Sequence, residues 1–149
     1  MNLSQKCQYA LRAVFELATR HGRGPVPVGQ IAGQQDIPAR FLELILVQLK
    51  QAGYTESRRG VQGGYSLSVL PKHLSVGDVI RTIEGPLLPV RRTEESAGKR
   101  TPPHGHHAFS RLWGRAEKAV ADVYDTTSFQ DLIDEDKAAK SKYTADFSI

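Results

Sequence analysis

Four side chains in the middle of the sequence carry the chemistry of polyanion recognition. Arg40 and Glu43 stand three residues apart just after Pro38 and Ala39, with Phe41 between them. Arg58 and Arg59 precede the run Gly60-Val61-Gln62-Gly63-Gly64-Tyr65. A guanidinium binds phosphate oxygens or the acceptor pair of guanine, and a carboxylate accepts from the amino group of cytosine. A carboxylate beside a phosphate backbone costs Coulomb energy unless it reads a base, so Glu43 would add specificity rather than affinity. Small residues such as Gly60, Gly63 and Gly64 let a backbone approach a sugar–phosphate wall while Arg58 and Arg59 reach phosphates or the minor groove. Glycines at Gly63 and Gly64 would equally supply the positive φ of a hairpin turn. Ser4, Lys6 and Tyr9 form a third polar set at the start of the first apolar period. A helix N-terminus bearing Ser and Lys suits a phosphate, although a solvated helix end has the same composition.

Other chemistry has less support. His104, His106 and His107 are weak candidates for metal ligands, since imidazole is the commonest ligand but no carboxylate stands at a compelling spacing to them. No metal and no cofactor is therefore assigned. No nucleophile–base pair or paired carboxylates mark an enzyme. Cys7 is the single cysteine. It excludes an internal disulfide and any site built from this chain's thiolates alone, and its place on an apolar stripe predicts an inert, buried thiol.

The elements that must position these groups follow from periodicity. Residues 4–21 predict a helix with Cys7, Ala10, Leu11, Val14, Leu17 and Ala18 on one face, Ser4 as N-cap and Gly22 after its end. A connector rich in Gly and Pro leads to a short helix over 28–35. Gln34-Gln35-Asp36-Ile37 turns the chain, and Pro38 fits the first turn of a helix carrying Phe41, Leu42, Ile45, Leu46, Leu49 and Ala52 inward, stopped by Gly53. Two helices joined by a short turn, followed by a hairpin of Tyr54–Arg58 and Tyr65–Val69 with Arg58 and Arg59 at its tip, make a winged helix.

A further helix over 75–84 has Ser75 and Asp78 at capping-box spacing and is stopped by Gly85-Pro86. Residues 86–107 show no period and predict an exposed loop. Residues 108–125 predict a long amphipathic helix with Phe109, Leu112, Trp113, Ala116, Val120, Val123 and Tyr124 along it. A winged helix of about 85 residues closes its own core, so this extra stripe needs another surface, most simply a two-fold partner. A short last helix with Phe129, Leu132 and Ile133 precedes a charged tail on which no order is forced. The expected organisation is a winged helix-turn-helix over 1–85, a flexible loop over 86–107, a dimerisation helix and short final helix over 108–134, and the tail over 135–149. The fold class is mainly α with a small β-hairpin.

Charge agrees with this division. The 149 residues carry +4 overall. Residues 1–92 hold 12 Lys and Arg against 6 Asp and Glu, and residues 93–149 hold 8 against 10. The basic front coincides with the helix-turn-helix and the wing, as expected for a surface that meets a polyanion. No apolar run approaches the ~18 residues of a membrane span, and the first residues lack a signal-peptide core, so the expected location is cytoplasmic.

Taken together, these residues resemble the winged-helix transcription regulators of the IscR/NsrR/CymR family. The resemblance rests on Met1-Asn2-Leu3-Ser4-x-Lys6-x-x-Tyr9-Ala10-Leu11-Arg12-Ala13, Gly24-Pro25-Val26-Pro27-Val28-x-x-Ile31-Ala32 and Ile37-Pro38-x-x-Phe41-Leu42-Glu43-x-Ile45-Leu46-x-x-Leu49-x-x-Ala52-Gly53. Ser57-Arg58-Arg59-Gly60-x-x-Gly63-Gly64-Tyr65-x-Leu67, Ser75-Val76-Gly77-Asp78-Val79-Ile80, Leu112-Trp113 and Thr126-Thr127-x-x-x-Asp131-Leu132 complete it over about residues 1–133. It implies a homodimeric regulator, usually a repressor, on a roughly palindromic operator in double-stranded DNA. By the resemblance, Arg40 and Glu43 read bases, Phe41 meets the backbone and Arg59 contacts DNA from the wing. Many members hold an iron–sulfur cluster on three cysteines before the Leu-Trp pair. Here Arg91-Arg92, Thr101 and His107 occupy that region, so the chain resembles the cluster-free branch, which includes a regulator controlled by a protein partner. A protein-interaction adaptor that kept the fold, and a regulator holding a metal or cluster through the loop histidines with Cys7, are the alternatives.

Overall fold

The computed structural model describes residues 2–87 and 101–147. Residues 88–100, which include Pro89, Arg91 and Arg92 of the expected loop, lie outside the described residues. Helix α1 spans Gln5–Thr19, α2 Val28–Gln35 and α3 Ala39–Gln51. Strands β1 (Thr55–Arg58) and β2 (Gly64–Leu67) form an antiparallel hairpin with Thr55 opposite Leu67 and Arg58 opposite Gly64. A 3₁₀ turn at Pro71–His73 leads to α4 (Val76–Glu84), and α5 (His106–Thr126) and α6 (Phe129–Phe147) complete the order.

The caps are local chemistry. The Ser4 hydroxyl accepts from the Cys7 N–H at 3.1 Å, satisfying one of the four unpaired donors that open α1. Ser75 and Asp78 form the reciprocal capping box of α4, and Ser128 and Asp131 repeat that exchange at the start of α6. Pro38 stands one position earlier than its first-turn assignment. It is the N-cap of α3, with ψ 128°, and its carbonyl accepts the first helical bond from Leu42 at 3.1 Å. The turn between α2 and α3 closes through Asp36 in the left-handed region at φ 51°, which a short polar side chain tolerates.

The core gathers on α1. Ala10, Ala13, Val14, Leu17 and Ala18 are buried there and meet Ile31 of α2, Leu42, Ile45, Leu46 and Leu49 of α3, Leu67 of β2 and Val79 of α4. Alanines on α1 let these helices approach closely. Two residues expected on the inner face of α3 are outside it. Phe41 is 53% exposed and Ala52 is exposed, because the buried seam centres on Leu42, Ile45, Leu46 and Leu49 and places both at its edge.

The core does not close within residues 1–85. Phe129 of α6 is fully buried and Ile133 nearly so, and α6 returns to pack on α1. The helix is not short either. It continues to Phe147 through the stretch expected as a charged tail. Good helix formers and the Asp136–Lys140 pair at 2.9 Å, one turn apart, support that extension. The long helix α5 starts at His106, so His106 and His107 sit in its first turn rather than in the loop. It holds no buried residue. A bidentate pair from Arg81 to Asp125, at 2.6 and 2.8 Å, ties its C-terminal end to α4, and the Val76 N–H donates to the Thr127 carbonyl at 2.9 Å.

Cys7 belongs to a smaller cluster with Val76, Ile80 and Leu87, bordered by Val120, Ala121 and Tyr124 of α5. Burial, and secondarily the Glu84 carboxylate, push its thiol up to about 11. At pH 8 the thiolate is therefore scarce as well as shielded, and iodoacetamide is expected to label native protein far more slowly than protein in denaturant. Equal rates in the two states would contradict the packing. A second test concerns the glycines. Gly64 has φ 152°, and a Cβ there would run into the Val26 carbonyl, whereas Gly53 has φ 88° with open space around it. In urea titrations Gly53→Ala is expected to cost about 1 kcal/mol and Gly64→Ala about 3 kcal/mol.

Candidate nucleic-acid interface

The outward side of α3 and the hairpin form one surface because backbone groups join them. The Thr55 hydroxyl, buried at the start of β1, donates to the Leu46 carbonyl at 3.1 Å. The Tyr54 N–H donates to the Leu49 carbonyl at 3.0 Å, and the Lys50 ammonium donates to the Ser57 hydroxyl. On the other flank the hairpin is held by Tyr65, half-buried, whose N–H and carbonyl pair with Val26 at 2.9 and 2.8 Å. Gly64 serves this contact with Val26, and Gly63 serves the hairpin's own tip against Arg58 and Gly60. Gly63 fits under the Arg58 carbonyl with an ordinary negative-side backbone, so only Gly64 of the two uses a positive φ. Gly60, at φ 110°, turns the exposed tip, where the Gly63 N–H donates to its carbonyl at 2.9 Å.

On that surface Arg40, Glu43, Arg58 and Arg59 are all exposed, and none makes an ion pair among the described residues. Pro38 and Ala39 are exposed at the opening of α3. Phe41 lies against Tyr9, with ring centroids 6.3 Å apart, and the Arg12 guanidinium sits 5.0 Å over the same Tyr9 ring. Tyr9 thus acts as a support beside α3, its hydroxyl accepting from the Gln5 amide at 2.8 Å. The Lys6 ammonium donates to Gln48 of α3 at 2.8 Å, and the Gln48 amide donates on to the Thr82 carbonyl of α4 at 2.9 Å. Ser4 spends its hydroxyl on the cap of α1 and its N–H on the Glu84 carboxylate. The start of α1 is therefore tied to α3 and α4, with the Lys6 charge still at the surface.

Three exposed side chains here escaped the sequence reading. Arg12 was seen only as part of a motif. Leu44 and Val47 are 66% and 44% exposed on the side of α3 opposite its seam. A projection at 100° per residue over 39–51 would have shown both standing in line with Arg40.

The candidate metal ligands do not converge. Among the described residues no three His, Cys, Asp or Glu side chains form a set able to hold an ion. His106 and His107 meet edge to face, with centroids 5.5 Å apart, and His104 is exposed before the helix. The α5 stripe divides in two. Val120 and Tyr124 are half-buried against the chain's own Cys7 cluster, and Ala116 is partly covered. Phe109, Leu112, Trp113 and Val123 stay 45–62% exposed, with Phe109 and Trp113 stacked at 6.1 Å.

Comparison with known proteins matches this geometry. The family model described as Rrf2, iron-dependent transcriptional regulator, covers residues 3–135. The HTH-type transcriptional regulator CymR of Bacillus subtilis strain 168 is 36% identical over 132 residues, spanning 89% of each chain. The solved structure of CymR, the global cysteine regulator of B. subtilis, superposes with a TM-score of 0.75 at 36% identity over 89% of this chain and 95% of that one. IscR of T. potens superposes at 0.77 with 30% identity over 93% and 90%. The residues present do not fit a thiolate-held iron group, since Cys7 is the sole cysteine and is fully buried. The described chain has the mainly helical winged architecture of these proteins, holds no helix long and apolar enough to cross a membrane, and is similar to regulators rather than enzymes. The chain belongs to the Rrf2 family of helix-turn-helix transcriptional regulators.

Proposed function

We propose that the chain is a homodimeric repressor that recognises a roughly palindromic operator by sequence, without a cysteine-ligated iron–sulfur cluster. The observation that carries this reading is the set of exposed charges, without an ion pair among the described residues, on two elements hydrogen-bonded to each other: Arg40 and Glu43 on α3, Arg58 and Arg59 on the hairpin. An exposed cation held in no ion pair is free to release the counterions of a phosphate backbone. In this reading the first turns of α3 enter the major groove, with Arg40 on guanine or phosphate and Glu43 accepting from cytosine. Arg58 and Arg59 follow the flanking minor groove, beside the exposed tip at Gly60. Pro38, Ala39, Phe41, Ser4, Lys6 and Tyr9 set the backbone contacts around that register. Gly63, Gly64 and Tyr65 act one step back, holding the hairpin at its angle. A dimer bound across two half-sites about 34 Å apart would exclude the transcription machinery by occupancy.

The exposed part of the α5 stripe supports the dimer. Phe109, Leu112, Trp113 and Val123 form an apolar surface that the described chain leaves uncovered. The reading without a cysteine-ligated cluster is supported by the lack of cysteines in the loop and by the burial of Cys7.

Two measurements test the proposal. In binding titrations over a range of salt, Arg59→Ala is expected to weaken all duplexes alike and to reduce the salt slope by about 1. Glu43→Ala is expected to leave that slope and to bind matched and mismatched duplexes with more equal affinity. Equal binding of operator and scrambled duplexes by the wild-type protein would overturn the reading. In sedimentation, the wild-type protein is expected as a dimer and Trp113→Asp as a folded monomer that binds the operator at least tenfold more weakly. A dimer that survives Trp113→Asp and Leu112→Asp would place the pairing surface elsewhere.

A further inference from the structure

The buried seam of α3, formed by Leu42, Ile45, Leu46 and Leu49, defines an opposite stripe. At 100° per residue that stripe is Arg40, Leu44, Val47 and Gln51, spaced by four, three and four residues. Two of its four members are aliphatic and solvent-exposed. The neighbouring positions are otherwise engaged or charged. Phe41 leans on Tyr9, Gln48 bonds Lys6 and Thr82, Lys50 bonds Ser57, and Glu43 carries its charge. Leu44 and Val47 are thus a narrow apolar track, one side chain wide, that begins beside a guanidinium.

We propose that Leu44 and Val47 read thymine C5-methyl groups in the operator. This rests on α3 being the major-groove helix. The occupant follows from what surrounds the track. Arg40, Lys50, Arg58 and Arg59 make its surroundings basic, which suits a nucleic acid. Two aliphatic side chains between a guanidinium and an amide are too small an apolar area for a stable protein interface. In the major groove only thymine offers an apolar group, and the other bases present donors and acceptors there. An aliphatic side chain against cytosine would strip water from its amino donor and replace it with nothing, so the same contact attracts thymine and rejects cytosine. Leu44 lies one turn along α3 from Arg40, roughly 6 Å. Val47 lies roughly 10 Å along α3 from Arg40, so the thymines fall within about three base-pair steps of the base that Arg40 contacts.

The test begins with duplexes selected from a random library by the full chain. Each half-site thymine is then replaced by uracil, which removes the methyl and nothing else. Wild-type protein is expected to lose roughly three- to fivefold in affinity per methyl at one or two positions. Leu44→Ala and Val47→Ala, each confirmed as folded by circular dichroism, should each lose the uracil penalty at the methyl that residue reads, and the double variant should bind the thymine and uracil duplexes alike. Arg59→Ala should bind more weakly yet keep the full uracil penalty. Selected duplexes that bind equally with uracil throughout would overturn the methyl reading and leave operator recognition standing. Retention of the full uracil penalty in the double variant would assign the methyls to other residues and overturn it too. Failure to select any sequence would remove both the methyl reading and the operator reading beneath it. Loss of dimerisation in Leu44→Ala or Val47→Ala without DNA would make the track a self-association surface instead.

Discussion

The structure depends on how α3 packs on α1. Four large aliphatic side chains, Leu42, Ile45, Leu46 and Leu49, lose all contact with water against a face of α1 lined by Ala10, Ala13 and Val14. Each such burial is worth roughly 1.5–3 kcal/mol, so rotating α3 about its axis would forfeit several of them at once. The seam therefore fixes which residues face outward. Arg40, Glu43, Leu44 and Val47 are exposed because their neighbours cannot be. The wing inherits the same reference, since Thr55 and Tyr54 bond the carbonyls of Leu46 and Leu49, the inner residues of that seam. The outward side of α3 and the hairpin are thus placed by one packing decision.

A second set of contacts attaches the C-terminal helices to this unit. Arg81 and Asp125 are about equally exposed and form a bidentate pair that holds the Asp125 carboxyl below its ordinary range and raises Arg81. A lowered carboxylate stabilises the folded state above its unfolded value of 3.8, and that contribution fades as pH falls through the lower folded value. At neutral pH the strap is intact. With Val76 bonded to Thr127 and Phe129 bonded to Leu74, it makes α5 depart from the core at a set place. The chain then returns through α6 to bury Phe129. α5 is anchored at one end by Val120 and Tyr124 and leaves Phe109, Leu112 and Trp113 exposed.

In the proposed reading, charge and apolarity divide the labour on α3 and the hairpin. The guanidiniums of Arg40, Arg58 and Arg59 supply attraction that any duplex would satisfy. Discrimination needs groups that lose something at the wrong base, and on this proposal Glu43, Leu44 and Val47 are of that kind. A carboxylate without a cytosine amino group is repelled by the backbone, and an aliphatic side chain without a methyl leaves a polar base edge dry. The buried Cys7 stands apart from this chemistry, since it fills a gap between α1, α4 and α5 and its thiol is held protonated.

Much of this was legible in the residues. Caps, helix stops and apolar periods are local, and Ser4, Ser75 with Asp78, Gly53 and the spacing of Leu42, Ile45, Leu46 and Leu49 each specify their element within a few residues. Winged-helix architecture and the basic cluster at Arg40, Arg58 and Arg59 followed from that local information. The helical stretch beyond Asp134 was missed because its charged residues satisfy a helix and a solvated tail equally well. Phe41 was misplaced because periodicity locates a face only to within one residue at its edge, and contact with Tyr9 decides the rest. Leu44 and Val47 were invisible as a set until the seam gave α3 a rotation. What the sequence determined alone was which segments are helix or strand and which chemistry they carry. Tertiary structure decided which side chains share a surface, because the large energies of burial act between residues far apart in the chain and leave the outward ones as their remainder.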